Sequence, residues 1–243
     1  MIFTRQEPYV GRKYDNSNLF GVRVMVVGAS HYCGEFDKQV GCTAECKSYG
    51  KLRARYRDRR KKIREQYFGT GCQLFTKNVV ERYLHGDSSN GDGGWKRTYT
   101  KFLKSLFKNR EASTDDCRKV VAHLVFTEYL QGAEGQNASE KDDEAFKNVR
   151  HYDALKENIA NHHPDVAIIW GDRVWPQITK RCNGTILSPT RCESVIDGHK
   201  VQFVKVAHPS RRGYYKTEPQ SQFEAAGMRL ITKGDLSKDG ESS

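Results

Sequence analysis

The sequence has no long apolar run and no apolar segment near its start. None of its stretches approaches the ~20 consecutive apolar residues that a helix needs to cross a bilayer. Residues 1–7, Met-Ile-Phe-Thr-Arg-Gln-Glu, also lack the apolar region of a secretory signal peptide. These two absences predict a soluble cytoplasmic protein with no membrane partner.

The cysteines lack the paired C-x-x-C units that mark strong metal or iron–sulfur sites. There are seven, an odd number, which favours reduced thiols over a secreted disulfide scaffold. Cys33, Cys42 and Cys46 are nevertheless close together in the sequence, and Cys72 follows. A bound metal is therefore the alternative to ordinary buried thiols, although we expect neither a metal nor another cofactor.

Apolar residues are also scarce, at 37% of the chain against 29% charged residues, so a modest core must support a large polar surface. The net charge is +11 and the isoelectric point is about 9.3. Neutralising phosphates releases condensed counterions, so this excess of Lys and Arg indicates a polyanionic partner. Charge alone does not separate DNA from RNA; with the motifs below, we expect DNA, bound by a monomer.

Much of the positive charge lies in residues 47–64, which contain ten Lys and Arg against one Asp. Such a segment cannot pack into a core. It is either a solvated helix face or mobile arm, or a surface that contacts the DNA backbone. In the second interpretation Arg57, Arg59 and Arg60 bind phosphates, and tyrosines interleave with the charges.

We therefore expect a single domain over residues 1–243, with a basic insertion at 38–70 and a disordered polar tail at 233–243. Apolar, β-branched runs predict strands buried in a parallel sheet, and apolar residues at helical spacing predict an amphipathic helix over 95–110. The second strand fits a helix almost as well. The predicted fold is α/β, a three-layer α/β/α sandwich with a central, mainly parallel four-stranded sheet, and the predicted strands are 22–27, 120–129, 166–171 and 199–207.

Two of these strands end in polar loops. The first reads Gly-Ala-Ser-His-Tyr-Cys at 28–33, and the second reads His-Pro-Ser-Arg-Arg-Gly-Tyr-Tyr at 208–215. Ligands bind at the carboxyl ends of strands in open α/β sheets, so both loops are expected to face one pocket. Together they resemble the two active-site motifs of the uracil-DNA glycosylase superfamily. Weaker matches follow in the family's order at 74–76, 126–129 and 168–171.

The resemblance implies a monofunctional DNA glycosylase, which flips a modified or damaged pyrimidine out of DNA and hydrolyses its N-glycosidic bond to leave an abasic site. In the family the first loop has a pattern such as Gly-Gln-Asp-Pro-Tyr-His, whose acid positions or activates the attacking water. Gly28 opens the corresponding loop here, and Tyr32 matches the tyrosine that guards the pyrimidine C5 position.

Ser30 occupies the slot of that acid. Serine can orient a water molecule but is not an effective base at neutral pH. Glu35 or Asp37, just beyond the loop, would supply the missing carboxylate, with His31 as a less favoured substitute. The alternative is that the two acids form salt bridges with the arginine-rich arm.

The second loop matches the family's His-Pro-Ser motif, whose histidine hydrogen bonds the pyrimidine O2. Cleavage leaves negative charge on the base, so a donor aimed at O2 lowers the barrier; the resemblance gives His208 this role. Ser210, Arg211 and Arg212 follow where the family contacts DNA. Either Tyr214 or Tyr215 would fill the space of the flipped nucleotide, unless the segment is a basic turn with tyrosines packed beneath it.

The base pocket is assigned to Gly28, Ala29, Tyr32, Phe75 and Glu128. Phe75 matches the aromatic that stacks on the flipped base, or else is a core residue. Glu128 falls near an asparagine that reads the O4 and N3 edge of uracil. A carboxylate there would repel O4 but accept from the N4 amine of cytosine. Unless Glu128 is a surface residue, this predicts a modified cytosine, as in foreign DNA, with room for its substituent beside the small Ala29.

Two other functions compete with this one. Because Ser30 replaces the acid, the chain could be a non-catalytic nucleic-acid-binding module with a glycosylase fold. The clustered cysteines instead suggest a metal-dependent nuclease.

Overall fold

A computed structural model describes residues 7–15, 19–29, 76–85, 94–131 and 145–238 of the chain. The strands in these ranges are β1 Tyr9–Val10, β2 Val24–Gly28, β3 Leu124–Glu128, β4 Val166–Trp170, β5 Thr185–Ser188, β6 Arg191–Ile196 and β7 His199–Val206. The α-helices are α1 Thr76–His85, α2 Gly94–Ser105, α3 Thr114–Val121, α4 Val149–His162, α5 Trp175–Arg181, α6 Pro219–Ala225 and α7 Lys233–Lys238. Short 3₁₀ segments lie at Ala145–Lys147 and Tyr214–Thr217.

The strands form one mixed sheet in the order β1-β3-β2-β4-β7-β6-β5. The four central strands, β3, β2, β4 and β7, run parallel to one another. Strand β1 is antiparallel to β3, and β6 and β5 extend the other side in antiparallel fashion. The α/β class is confirmed, but the predicted four-stranded sheet is wrong in size, because it corresponds only to the parallel centre of a seven-stranded sheet.

Both faces of the sheet are buried by helices. Successive side chains of a strand point to opposite faces, and β2 shows this alternation: Val24 and Val26 pack with helices α1, α2, α3 and α6, whereas Met25 and Val27 pack with α4 and α5. This two-sided burial explains why the central strands are continuous apolar runs.

The predicted second strand is divided between two elements. Helix α3 ends at Val121 and β3 begins at Leu124, so residues 120–129 contain the end of a helix as well as a strand. Ser113 is the N-cap residue of α3 and forms a capping box. Its hydroxyl accepts from the Asp116 N–H at 3.0 Å, and the Asp116 carboxylate accepts from the Ser113 N–H. The predicted helix over 95–110 is shorter than expected and ends at Ser105.

The predicted disordered tail is corrected at residues 233–238, which form helix α7. The Asp235 carboxylate accepts from the Thr232 N–H at 2.7 Å and from Arg229 at 3.1 Å, and Leu236 packs against the core. These hydrogen bonds and the packing of Leu236 stabilise a helix in a segment whose composition is polar. Residues 239–243 and the basic insertion at 38–70 lie outside the described residues.

Among the helices of the described ranges, none combines the length and the apolar character needed to cross a bilayer.

Phe102 on α2 is fully buried, and its ring centroid lies 5.0 Å from that of Trp170, 6.2 Å from Phe223 and 6.4 Å from Phe126. We expect Phe102→Ala to lower the free energy of unfolding by about 3–5 kcal/mol, because it removes an aromatic ring from a packed core. Urea denaturation followed by circular dichroism measures this. The control Val195→Thr, at a side chain that is 68% exposed, should change the value by less than about 0.5 kcal/mol; equal losses in both variants would contradict this packing.

Candidate active site

Three central strands end side by side at one edge of the sheet. Gly28, the last residue of β2, is the register partner of Glu128, the last residue of β3. On the other side of β2, Val27 pairs with Ile169, so Trp170 at the end of β4 falls next to Gly28. Parallel pairing therefore aligns the carboxyl ends of β3, β2 and β4 at the edge where ligands bind in such sheets.

Strand β7 brings His208 to the same edge. Its last residue, Val206, pairs with Trp170, and the chain continues through Ala207 to His208. The His208 ring lies nearly perpendicular to the Trp170 ring, with 5.9 Å between the ring centroids. The strands that precede the two motifs thus end at the same edge of the sheet.

The side chains involved share one face of the sheet. Phe126 and Ile168 belong to the core beneath α2, and by the two-residue period of a strand Glu128 and Trp170 point the same way. Helix α2 places Tyr99 over this face, with its ring 5.6 Å from that of Trp170. Burial raises the pKa of Tyr99, and the negative charge of Glu128 raises it further. We call Tyr99, Glu128, Trp170 and His208 the strand-end cluster.

The Glu128 carboxyl group lies against the backbone of Gly28. A Cβ atom built on Gly28 would lie 2.6 Å from Cδ of Glu128, so glycine leaves the space that the carboxyl group occupies. Part of the residue is accessible, but its Oε2 atom is buried and has no hydrogen-bond partner among the described residues. Burial raises the pKa of Glu128 from 4.5 to about 8, so the group is mainly a neutral carboxylic acid at pH 7.

Trp170 carries a second unpartnered polar atom. Its Nε1 is buried and finds no acceptor within the part of the chain that the structure describes. Buried polar atoms are nearly always hydrogen bonded in native proteins. Two exceptions at the ends of β3 and β4, on either side of β2, one of them a carboxyl group with a raised pKa, are typical of a site that binds a polar ligand.

His208 is held as a neutral imidazole with its outer nitrogen available as a donor. Its Nδ1 accepts from the Ser210 N–H at 3.3 Å and lies 2.7 Å from Ser210 Oγ. Because the backbone N–H can only donate, Nδ1 must be the acceptor, and this assigns the proton of the neutral ring to Nε2. Burial lowers the pKa of His208 and favours this uncharged form.

Gly171 lies against the histidine in a conformation that favours glycine. Its φ of +85° is a left-handed conformation that favours glycine, and its N–H donates to the Val206 carbonyl at 2.8 Å. A Cβ atom on Gly171 would lie 3.4 Å from Cβ of His208. The end of β4 thus carries Trp170, and the residue that follows it contacts His208.

The two tyrosines that follow His208 pack beneath the turn. Tyr214 is fully buried, with its hydroxyl 3.1 Å from Ser105 Oγ, so it has no surface to insert into a base stack, and the prediction that it fills the space of a flipped nucleotide is corrected. Tyr215 is half-buried and donates to the Lys101 carbonyl at 3.1 Å, with the Arg110 guanidinium 4.9 Å from its ring. Both tyrosine side chains therefore pack against α2 and its neighbours instead of extending into water.

Ser210, Arg211 and Arg212 are exposed at this turn. The Arg211 carbonyl accepts a hydrogen bond from Lys101 Nζ at 3.1 Å, which ties the turn to α2. Both guanidinium groups therefore lie on a braced loop close to His208.

Most residues of the first loop lie outside the described ranges. Ala29 is half-buried and packs on the α4 side of the sheet. The other predicted residues lie outside the described ranges: Ser30, His31, Tyr32, Cys33, Glu35, Asp37, Cys42, Cys46, Arg57, Arg59, Arg60, Cys72 and Phe75. Within those ranges, no three His, Cys, Asp or Glu residues are grouped so as to hold a metal ion.

Sequence reasoning missed Tyr99 and Trp170 as site residues. Trp170 carries a signal that could have identified it, since it ends a predicted strand and is followed by a glycine, as Val27 is at the first motif. Tyr99 is one of several aromatics at helical spacing, and nothing local distinguishes it from its core neighbours.

A second feature lies near the amino end of β3, opposite the strand-end cluster. Lys13 N–H donates to the Ala122 carbonyl there at 2.9 Å, and the surrounding cleft has a volume of about 820 Å³. Arg12 and Lys119 are exposed, and Glu81 pairs with a histidine. We call it the cationic cleft, because it contains four Lys and Arg residues against the single acid Glu81, beside histidines and apolar side chains; its basic residues are Arg12, Lys13, His85, Arg118, Lys119 and His123.

The chain matches no model of a known protein family, and no curated protein sequence shows significant similarity to it.

The buried acid predicts a pH-dependent stability. The folded pKa of Glu128, about 8, is above its ordinary value of 4.5, so the folded state binds the proton more tightly, and stability is lost as pH rises from 4.5 through 8. Relative to Glu128→Gln, the wild-type free energy of unfolding should fall by at most about 1.4 kcal/mol per pH unit in this window, because glutamine does not titrate. Urea denaturation at pH 5 to 9 measures the difference. Parallel curves would contradict the buried acid.

Proposed function

We propose that the protein is a DNA glycosylase that hydrolyses the N-glycosidic bond of a flipped pyrimidine and leaves an abasic site. The observation that carries the proposal is the setting of His208, a neutral histidine with its proton on Nε2, which packs against Trp170 at the sheet edge where the buried acid Glu128 also lies. The resemblance of the two strand-end loops to the uracil-DNA glycosylase superfamily adds support. Modified cytosine in DNA is the proposed substrate, in repair or in defence against foreign DNA.

Cleavage of an N-glycosidic bond is assisted by a hydrogen-bond donor of this kind. When the bond between C1′ and N1 breaks, its electron pair goes to the base and negative charge develops on O2, while C1′ becomes electron-poor and takes the oxygen of water. A donor fixed in advance at O2 stabilises this charge without rearrangement in the transition state. His208 suits this role because Ser210 fixes its tautomer.

The aromatic members of the strand-end cluster support the same reaction. The Tyr99 and Trp170 rings pack edge to face and would form apolar walls beside the polar groups. They would shield the base from water, and electrostatic interactions are stronger in such an environment. A base inside a duplex cannot reach a strand-end site, so the nucleotide must be extruded, at a cost of roughly a few kcal/mol.

The charge needed to hold DNA lies outside the cluster. Arg211 and Arg212 are exposed directly after the histidine motif. Arginines in this position suit the phosphates on either side of a flipped nucleotide, since phosphate contacts set position and orientation. The water-activating residue remains a prediction among Ser30, Glu35, Asp37 and His31.

A second function, a nucleic-acid-binding module without catalysis, is favoured by the cationic cleft. Its Lys and Arg residues suit phosphates, and it lies away from the strand-end cluster. In this alternative the binding is strong and salt-sensitive but no base is released. The nuclease alternative depends on cysteines outside the described residues and gains no further observation.

We expect His208→Ala to reduce the single-turnover rate of base release about 10²–10³-fold, because it removes the donor to the developing anion. DNA containing uracil, methylated cytosine or bulkier hydroxymethylcytosine derivatives is the substrate set, with free base detected by mass spectrometry and abasic sites by alkaline cleavage. DNA affinity should stay within about threefold, since phosphate contacts dominate it.

The matched control is His163→Asn. This histidine is exposed beyond the end of α4, with a φ of 45° that asparagine tolerates. It should release base at the wild-type rate. An unchanged rate in His208→Ala would reject the catalytic role of the histidine, and absence of release by wild type from every DNA, despite binding, would favour the binding module.

The cationic cleft gives its own prediction. If it holds phosphates, Arg12→Gln combined with Lys119→Gln should reduce the slope of log K against log salt concentration by about 2, since each lost phosphate contact contributes about 0.9. Fluorescence anisotropy with a labelled duplex measures the slope. The control pair Lys180→Gln and Lys200→Gln removes two exposed charges elsewhere and should leave the slope unchanged; equal slopes in both double variants would exclude a specific role for the cleft.

A further inference from the structure

We propose that Glu128 is a further catalytic residue, a neutral carboxylic acid that hydrogen bonds the N3 and 4-amino edge of a cytosine-type base and passes its proton to N3 as the glycosidic bond breaks. This inference rests on the proposed glycosylase function and names the base class and the acid.

The position of the carboxyl group carries the proposal. It lies over Gly28, where any larger residue would displace it, and its Oε2 has no partner in the described structure. Trp170, at the end of β4, and His208, two residues beyond the end of β7, lie on the same edge of the sheet. A base held between His208 and Glu128 would present O2 to the histidine and N3 with the 4-amino group to the acid, since the two side chains approach from β7 and β3, with β2 and β4 between them.

The surroundings keep this group protonated. The carboxyl group lies against Gly28 of β2, which does not titrate, and α2 brings Tyr99 close enough for the Glu128 charge to raise its pKa. Trp170 and His208 follow further along the same sheet edge. Burial raises the pKa of Glu128 and Tyr99 and lowers that of His208, so all three favour their uncharged forms near neutral pH.

A neutral acid fits cytosine better than the carboxylate that the sequence suggested. Its O–H donates to N3, and its carbonyl oxygen accepts from the 4-amino group, so both hydrogen bonds are made at once. A carboxylate has acceptors only and would face the N3 lone pair. The proton on the acid is therefore the feature that lets one side chain read both atoms.

The same proton assists departure of the base. As the C1′–N1 bond breaks and its electron pair moves onto the base, the Glu128 proton transfers to N3, so the base leaves neutral instead of as an anion. The water oxygen bonds to C1′, its released proton goes to solvent, and solvent reprotonates the carboxylate. Uracil gains less from this acid, because its N3 already carries hydrogen and its O4 is weakly basic.

The test is the pH dependence of single-turnover release at saturating enzyme, with modified-cytosine and uracil DNA. The wild-type rate on cytosine-type DNA should be constant from pH 6.5 to 7.5 and fall about tenfold per unit well above pH 8. Glu128→Gln keeps a donor and an acceptor but cannot transfer a proton, so its rate should be about 10²–10⁴-fold lower and independent of pH. Its affinity for DNA carrying a non-cleavable 2′-fluoro nucleotide should match wild type.

Two further variants keep the result interpretable. Gly28→Ala should push the carboxyl group toward water and move the midpoint of the pH profile at least one unit lower. The matched control is Glu193→Gln, since Glu193 is a half-buried acid on β6 that pairs with Lys200 and lies near the amino end of β4, away from the strand-end cluster and from the cationic cleft. It should keep the wild-type rate and profile.

The outcomes separate the two proposals. No base release by wild type at any pH would overturn the glycosylase function itself. Release by wild type with an equally active Glu128→Gln, or with the same alkaline fall in that variant, would overturn proton transfer by Glu128 while leaving the glycosylase function intact. Uracil release as fast as cytosine-type release would overturn the assigned base class.

Discussion

The packing of the Glu128 carboxyl group over Gly28 is the constraint on which the candidate site depends. It requires a glycine at the end of β2 and exact parallel register with β3, since a shift of one residue would turn every side chain to the other face. Register in turn follows from burial on both faces, because a slip would move Val24 and Val26 out of one core and into the other. Core packing therefore also fixes where the acid lies.

The exposed charges and the buried polar groups of the strand-end cluster are separated in space. The strand-end cluster holds an acid and a histidine that burial keeps uncharged, while exposed cations lie on the turn at Arg211 and Arg212 and in the cleft near Arg12. Exposed charges attract a polyanion at little desolvation cost. Neutral buried groups can respond to charge that appears only during a reaction. A site charged throughout would lose that difference between resting and reacting states.

The central strands could be predicted from sequence because a strand that is buried on both faces has a continuous apolar sequence, as at Val24–Gly28 and Val166–Trp170. The outer strands could not: β1 has two residues, and β5 is largely exposed. Motif position identified His208 and Glu128 as candidates. Tyr99 and Trp170 were missed because a residue at the boundary between core and site has the composition of the core, and Tyr214 was misassigned because tertiary packing determines which of two adjacent tyrosines is buried.

Lys101 joins two parts of the site that are over 100 residues apart in the chain. Its carbonyl accepts from Tyr215 and its ammonium group donates to the Arg211 carbonyl, at 3.1 Å each, and it is two residues from Tyr99 on the same helix. The aromatic wall and the histidine loop are therefore cross-braced and should shift as one body. The spacing between Tyr99 and the histidine loop is then set by the position of a helix, so changing this spacing would require moving a whole secondary-structure element instead of lengthening a loop.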